Sequence, residues 1–386
     1  MFAGIGGVEV GLAKSGVETI SMVENWEPAR AVLAHRFSHA ELLNDVATVK
    51  TLPRVDILTA GFPCTDLSQA GRTQGIRGSA SGLVSHVFRL LPKARPTWLV
   101  LENVRNMLAL DGGQAMMFLV QELESRGYNW AYRLIDSRST GVPQRRQRVI
   151  LVASRTEDPR AVLFADDATE RDVASYDSTA FGFYWTEGLK GLGWAPDAVP
   201  TLKGGSSLGI PSPPAIWIPD APLGRRVVTP TIEDAEALQG FRRGWTRASS
   251  PDGRRNGPRW KLVGNAVTTG VSTWVGSRLV TPGAANLTGQ QRLEPGGRWP
   301  IAAYGASGEA WSVPVSMWPV RKRYKHLLDV VNPSTAVPLS ARATAGFLER
   351  TERSSLRFDS EFLVAMKEHL RTVTEQRYVG AVPVPS

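Results

Sequence analysis

The residues whose types and spacing could do chemistry begin at Gly61-Phe62-Pro63-Cys64-Thr65-Asp66-Leu67-Ser68-Gln69-Ala70-Gly71. Cys64 is the single cysteine of the chain, so an internal disulfide and a cysteine-built zinc site are both closed to it. What remains is an apolar filler or a nucleophile. Free cysteine is usually buried, which by itself favours the filler. The surroundings favour the nucleophile: Pro63 breaks an apolar run, and a polar loop punctuated by Gly71, Gly75, Gly78 and Gly82 follows. A thiol at the root of an exposed loop is placed to attack a substrate. A carboxylate appears in the next unit of the pattern, where Trp98-Leu99-Val100-Leu101 runs into Glu102-Asn103-Val104. Arginines gather in Pro143-Gln144-Arg145-Arg146-Gln147-Arg148. Such a run is usually a solvated face, but at the entry to a strand near an active edge it can meet an anion.

A second group of residues reads as a ligand site. Phe2-Ala3-Gly4-Ile5-Gly6-Gly7 is a glycine turn opening a helix, which leaves backbone N–H groups for a ligand. The dinucleotide fingerprint would need glycine where Glu9 stands, so a nicotinamide cofactor is disfavoured. Glu24 lies about 20 residues past the first glycine, the spacing at which an acid holds a ribose diol. A solvated carboxylate at a strand end is the competing reading. Asp45 could accept from an adenine amino group or simply cap the turn at Ala47-Thr48-Val49. A nucleoside-containing ligand that needs no pyrophosphate glycines fits best.

These groups need a sheet to hold them. Val55–Ala60, Trp98–Leu101, Tyr128–Ile135 and Arg148–Val152 read as buried strands, and residues 28–37, 83–93 and 114–126 as helices. That alternation predicts an α/β sheet with Cys64 and Glu102 at its carboxyl edge. From about residue 155 the texture turns to proline, glycine and tryptophan, which predicts a separate, loop-rich domain. Helices return at 231–241 and 268–279, residues 281–310 read as a linker, and an amphipathic helix spans about 359–372. The 386 residues are 42% hydrophobic and 21% charged, enough for a sizeable core. The net charge of +9 makes an acidic polymer a natural partner. No apolar run is long enough for a membrane span, and no signal peptide is seen; with one unpaired thiol this predicts a reducing cytoplasm. No internal repeat or metal-ligand spacing is present.

Taken in order, Phe2-Ala3-Gly4-Ile5-Gly6-Gly7, Gly61-Phe62-Pro63-Cys64, Glu102-Asn103-Val104, Gln144-Arg145-Arg146-Gln147-Arg148, Leu238-Gln239-Gly240-Phe241 and Gly264-Asn265-Ala266-Val267 resemble the cytosine-5 DNA methyltransferases of bacterial or phage type. The match runs from residue 2 to about 280. The resemblance implies a Rossmann-like S-adenosylmethionine-dependent methyltransferase sheet with helices on both faces, a small irregular target-recognition domain and a C-terminal extension. The implied boundaries are 1–155 for the catalytic and cofactor-binding domain, 156–225 for target recognition, 226–280 for helices completing the catalytic domain, and 281–386 for a linker and basic extension. Cys64 would add to C6 of a flipped cytosine in a duplex site, with Glu102 acting at N3 and Arg148 and Arg146 holding the base carbonyl and phosphates. S-adenosylmethionine would be held by Phe2, Gly4, Gly6, Gly7, Glu24, Asn25, Trp26, Asp45, Val46, Pro63, Asn265 and Val267, with no metal. The implied partner is double-stranded DNA, with a place for a cognate restriction endonuclease acting on the same site. A monomer, cytoplasmic and associated with the nucleoid through DNA, is expected.

Two departures from the family pattern stand out. A strand should precede Phe2, and its absence predicts a true start upstream of Met1. Asn25 occupies the place of a bulky residue that covers adenine, with Trp26 one step on. The competing functions are methylation of a transfer RNA cytosine and a catalytically inactive DNA-binding regulator. The tail carries Arg321, Lys322, Arg323 and Lys325, then Arg342, Arg350, Arg353 and Arg357, which read equally as a solvated brace or as a grip on DNA phosphates.

Overall fold

The computed structural model describes residues 1–63, 82–205, 211–250, 256–294 and 296–379, with side chains to Gln376. Cys64 and the loop expected to close after it lie outside the described residues. The chain divides into two compact units. The first comprises Met1–Gly141, Gln147–Glu170 and Ala266–Arg323; the second comprises Val142–Arg146, Arg171–Asn265 and Tyr324–Ser386.

Strands that are apolar at consecutive positions have two faces to bury, and the first unit buries both. Its elements in order are α1 (Gly7–Ala13), β1 (Ser21–Val23), α2 (Glu27–Arg36), β2 (Glu41–Leu43), β3 (Ile57–Ala60), α3 (Leu83–Ala94), β4 (Trp98–Val104), α4 (Gln114–Glu124), β5 (Asn129–Asp136), β6 (Gln147–Ser154), α5 (Thr269–Val280), β7 (Gln291–Arg292), β8 (Ala302–Ala306) and β9 (Glu309–Ser312). The sheet runs β7-β9-β8-β5-β6-β4-β3. Only β3 and β4 pair in parallel within it; the other neighbours are antiparallel. Leu99 and Leu101 of β4, with Val149 and Leu151 of β6, pack among α3 and α4 residues such as Val87, Phe88, Met116 and Leu119. The alternate residues Trp98, Val100, Ile150 and Val152 pack with Leu12 of α1 and Val271, Trp274 and Val275 of α5. The period-2 alternation of a strand therefore feeds two helical layers. In α3, Val84, Val87, Phe88 and Leu91 recur at the helical period and form its buried face.

Helix α1 crosses α5 at a glycine. A Cβ on Gly11 would fall 2.5 Å from the backbone carbon of Ser272, whose hydroxyl donates to the Gly7 carbonyl at 2.7 Å. The contact is possible only without a side chain.

The glycine-rich stretch expected to be a linker instead contains β7, β8 and β9, which extend the sheet beyond β5. Its apolar residues are few but sit where they count: Ala302, Ala303 and Tyr304 are buried. At the other side, β1 and β2 form a separate parallel pair. The nitrogens of Met1 and Ala3 donate to Thr59 of β3 (2.7 Å) and Val23 of β1 (3.2 Å), so the chain enters between the two sheets. A groove of about 600 Å³ continues that line between residues 17–21 and 53–57.

In the second unit, the loop-rich reading gives way to an ordered antiparallel sheet. Its order is Val337–Pro338, Val227–Thr229, Ala215–Trp217, Phe181–Phe183, Ala195–Pro196. The strands are two or three residues long, too short for a period to show in the sequence. Ile216 and Val228 face a cluster with residues of the helices Ile232–Leu238, Gly257–Asn265 and Leu327–Val330. Ala215, Trp217, Val227 and Phe183 face the helices Ala341–Glu352 and Ser360–Val379 of the tail. The helix Ile232–Leu238 starts in a capping box between Thr231 and Asp234. Its buried Glu236 receives the amides of Gly244, Trp245 and Thr246 and the Arg259 guanidinium, which folds the following loop back onto the helix.

The tail enters this unit at an ionic junction. His326 Nδ1 lies 2.7 Å from Asp197 and 3.2 Å from Asp177, and Asp329 accepts from the His326 amide. The hydrogen bond to Asp197, aided by the three nearby carboxylates, raises the His326 pKa. A raised value means that the stabilisation is complete below the unfolded histidine value and is lost as pH rises through the folded one. Thermal stability should therefore fall as pH rises above the ordinary histidine value, and His326→Gln should flatten that slope; a variant with the wild-type slope would refute the assignment. In the first unit, Gly11→Ala should force α1 and α5 apart and cost about 1–3 kcal/mol, read as a lowered melting temperature.

Candidate active site

The turn that opens α1 takes a backbone path few side chains allow. Phe2, Gly4 and Gly6 have φ of 56°, 58° and 80°. At Gly6 the close neighbour is Phe37, whose ring would lie 2.3 Å from an added Cβ, whereas at Gly4 no atom lies within 4 Å. The turn is held to the end of β1 by Glu24. One carboxylate oxygen accepts from the Gly4 amide and the other from the Trp26 amide, both at 2.9 Å. Arg30 in turn donates to the carbonyls of Glu24 and Leu43, tying the ends of β1 and β2 together. Asn25 is exposed and Trp26 partly buried. Asp45 spends one oxygen on the Ala47 amide at 2.9 Å, which is the capping role. Val46 is buried, and its carbonyl accepts from Arg89 of α3 at 2.8 Å.

The carboxyl ends of β3 and β4 bring the second group together. Arg148 Nε lies 3.1 Å from Glu102 Oε1, with side chains 12% and 13% exposed. Glu102 is paired with Ile150 and Val104 with Arg148, so the two charged residues are diagonal neighbours on one face of the sheet. Asn103 points to the other side and donates through Nδ2 to the Phe62 carbonyl at 3.1 Å, while its Oδ1 accepts from the Val104 amide. This bond fixes the backbone two residues before Cys64. Gly61 completes the approach, since a Cβ there would stand 3.5 Å from Glu102 Oε2 and 3.9 Å from the Phe2 carbonyl oxygen. The glycine turn, the segment entering Pro63 and the Glu102 carboxylate thus converge. Sequence reading quoted Asn103 within its motif but did not single it out, because a main-chain partner 41 residues away leaves no spacing to read. Gln147 was also missed, and its Oε1 accepts from Arg105 at 2.6 Å.

Arg146, expected beside Arg148 at the base carbonyl and phosphates, is held by main-chain carbonyls. It belongs to the second unit and is fully buried, with its two terminal nitrogens donating to the carbonyls of Leu202 and Gly264, each at 3.0 Å. It braces two main-chain segments here. Gln144 supports the same place by donating to Leu238 and Gln239 and accepting from the Leu202 amide. Asn265 ends the helix Gly257–Asn265 exposed, with its Oδ1 close to Gly204. Val267 is in the first unit, where it lines a cavity of about 20 Å³ with Glu102, Val8 and Ile150.

The residues present suit a nucleoside ligand. Glu24 is half-buried, and a carboxylate with one bond per oxygen keeps lone pairs for hydroxyl donors. The turn beside it opens at Gly4 to space that a side chain would fill. Trp26 offers an apolar ring nearby in sequence. Among the described residues, one cluster, Asp177, Asp197 and His326, has the composition of a metal site, but its atoms are engaged with one another in the junction described above.

Comparison with known proteins agrees with this geometry. The family model described as C-5 cytosine-specific DNA methylase matches residues 1–181. Type II methyltransferase M2.BsuMI of Bacillus subtilis (strain 168) is 44% identical over 95% of this chain and 96% of its own length. Type II methyltransferase M.Bsp6I of Bacillus sp. (strain RFL6) is 32% identical over 40% of this chain and 51% of its own. The crystal structure of the S. pombe Dnmt2 methyltransferase covers 72% of this chain and 96% of its own with a TM-score of 0.52 at 15% identity, a likeness of fold. The expected methyltransferase fold, with S-adenosylmethionine as the methyl donor it implies, stands on these matches. The chain belongs to the C-5 cytosine-specific DNA methylase family and is a DNA (cytosine-5-)-methyltransferase.

Proposed function

We propose that Cys64, Glu102 and Arg148 carry the methylation of a cytosine flipped out of double-stranded DNA, and that the glycine turn, Glu24 and Trp26 hold the methyl donor. The observation that supports this most directly is the convergence of the Phe62-Pro63 segment, the Asn103 clamp and the Glu102–Arg148 pair at one sheet edge. Cytosine C5 is a poor nucleophile until a thiolate adds to C6. Cysteine suits the step because its thiolate is accessible near neutral pH and is a competent leaving group. Bond formation at C6 moves electron density onto N3 and makes C5 an enamine carbon. Glu102 acts at N3, donating a proton or hydrogen bond as that charge builds.

In the structure Arg148 neutralises Glu102, so the base must first take the place of one partner. The carbonyl of a flipped cytosine offers Arg148 a new acceptor, which turns the Glu102 carboxyl toward N3. Bound S-adenosylmethionine supplies an electrophilic sulfonium methyl to C5. After methyl transfer a solvent base takes the C5 proton as the C6–S bond breaks, which returns the Cys64 thiolate and restores the aromatic ring. Flipping costs a few kcal/mol, and water must be kept from the adduct.

The second unit is assigned to target recognition, in a wider span than the expected residues 156–225. Short strands joined by loops suit contacts to base edges, which carry the sequence information. The Type II designation of the relatives supports a role in protecting a site against a cognate restriction endonuclease. Activity as a monomer in the cytoplasm completes the reading. Among the described residues no helix is long and apolar enough to cross a membrane.

Cys64→Ser should abolish methyl transfer and the covalent adduct on a duplex containing 5-fluorocytosine while DNA binding remains measurable; an adduct that persists would sink the assignment. Glu102→Gln should slow single-turnover methylation by about 10²-fold or more with little change in S-adenosylmethionine affinity. A rate within a few-fold of wild type would place the acid elsewhere.

A further inference from the structure

Residues 324–379, the part of the tail that belongs to the second unit, carry eight Lys/Arg against seven Asp/Glu, a net charge of +1. Beyond the cluster Arg321, Lys322 and Arg323, the tail therefore has little net charge for neutralising phosphates. Two of its arginines are also engaged within the protein: Arg350 donates to the carbonyls of Trp185 (2.7 Å) and Glu187 (3.1 Å), and Arg353 forms an exposed pair with Glu349 at 3.0 Å. The tail is instead built into the sheet of the second unit. Val337–Pro338 forms its edge strand, and the Leu339 amide donates to Val227 at 3.0 Å. His369 lies 2.8 Å from the Leu339 carbonyl and keeps the last helix against that edge. Phe362 stands with ring centroids 5.1 Å from Phe183, 5.1 Å from Trp194, 5.4 Å from Trp217 and 5.9 Å from Phe347. Without the tail this layer of rings would face water.

What the tail touches most selectively are two strand connections. The one from Tyr184 to Trp194 is held by Arg350, by Phe347 against Gly188, and by the Ser354 hydroxyl donating to the Leu189 carbonyl at 3.1 Å. The one from Ile218 to Arg226 is held by the Arg226–Glu368 pair at 2.9 Å and by Thr372 and Gln376 beside Gly224. Such connections carry functional contacts when a rigid sheet presents them.

We propose that the C-terminal extension is a specificity-determining part of the enzyme, with Arg350 a positioning residue that sets the 184–194 loop for reading base edges. The inference rests on the assignment of the second unit to target recognition. A loop held in one conformation discriminates bases, whereas a loose one still meets the duplex but rejects wrong sequences poorly.

The test uses the full-length enzyme. The wild-type target is first identified by bisulfite sequencing of DNA from an expressing host. Arg350→Ala, a partly exposed change that leaves the aromatic layer intact, should lower the ratio of methylation rates on cognate and single-mismatch duplexes by about tenfold or more. S-adenosylmethionine affinity should stay within about twofold, and Arg350→Lys should recover part of the ratio. Phe362→Ala should lower the same ratio together with the melting temperature. An unchanged ratio in both variants would overturn the proposal, whether stability fell or not, and would leave the tail as a brace. An equal loss of affinity for cognate and random duplexes, with the ratio kept and the salt slope flattened, would also overturn it in favour of a phosphate grip. A wild-type enzyme that methylates duplexes without sequence preference would refute the assignment of the second unit to target recognition, a result distinguishable before any variant is made.

Discussion

The pairing of β4 with β6 is the constraint on which the candidate site depends. Glu102 and Arg148 meet because Val104 pairs with Arg148 and Glu102 with Ile150, which puts both charges on one face at 3.1 Å. Slipping that register by one residue would turn Glu102 toward the helices α3 and α4 and bring Asn103 in its place. The apolar neighbours forbid the slip, since Leu99 and Leu101 belong to one core layer and Trp98 and Val100 to the other. Chemistry at the edge is therefore specified by packing in the middle. The ion pair itself is weak evidence of stability, because desolvating two charges offsets much of their attraction. Its value lies in keeping a carboxyl and a guanidinium together where a base can separate them.

Asn103 and Gly61 extend the same logic to the nucleophile. One residue beyond the acid, the strand's alternation points a side-chain amide to the other side, where it holds the Phe62 carbonyl. The backbone that delivers Cys64 is thus fixed by the strand that carries Glu102. A glycine at 61 permits the carboxylate to approach within 3.5 Å of where a Cβ would be. The two motifs have 37 residues between them in the chain yet form one mechanical piece, held by β3 pairing in parallel with β4.

The second unit meets a different requirement. Its strands are short, so little of its stability comes from the ladder and much from the layers on either side. Tryptophan and phenylalanine supply that area in few residues. Drawing those rings from both the middle and the end of the chain makes one core of two distant segments, and the Asp197–His326 junction closes them together.

The sequence by itself determined the catalytic sheet, the turn at Phe2–Gly7 and the identity of Cys64, Glu102 and Arg148 as the candidate site. Those rest on local features: apolar runs, glycines at a tight turn, and motifs in a set order. The spacing singled out Glu24, and the structure shows both its oxygens on backbone amides that no spacing records. The antiparallel order of β5, β6 and β8 was not legible, because a fully apolar run does not record the direction of its neighbour. Residues 281–310 read as a linker because alanines and a lone tyrosine form a buried strand only against a sheet already built. The partners of Arg146 were not legible either, because the two carbonyls it is buried on lie 56 and 118 residues away. The tail's place was decided the same way, since its two helices and one edge strand gain their partners only when Phe183, Trp194 and Trp217 are assembled from elsewhere in the chain.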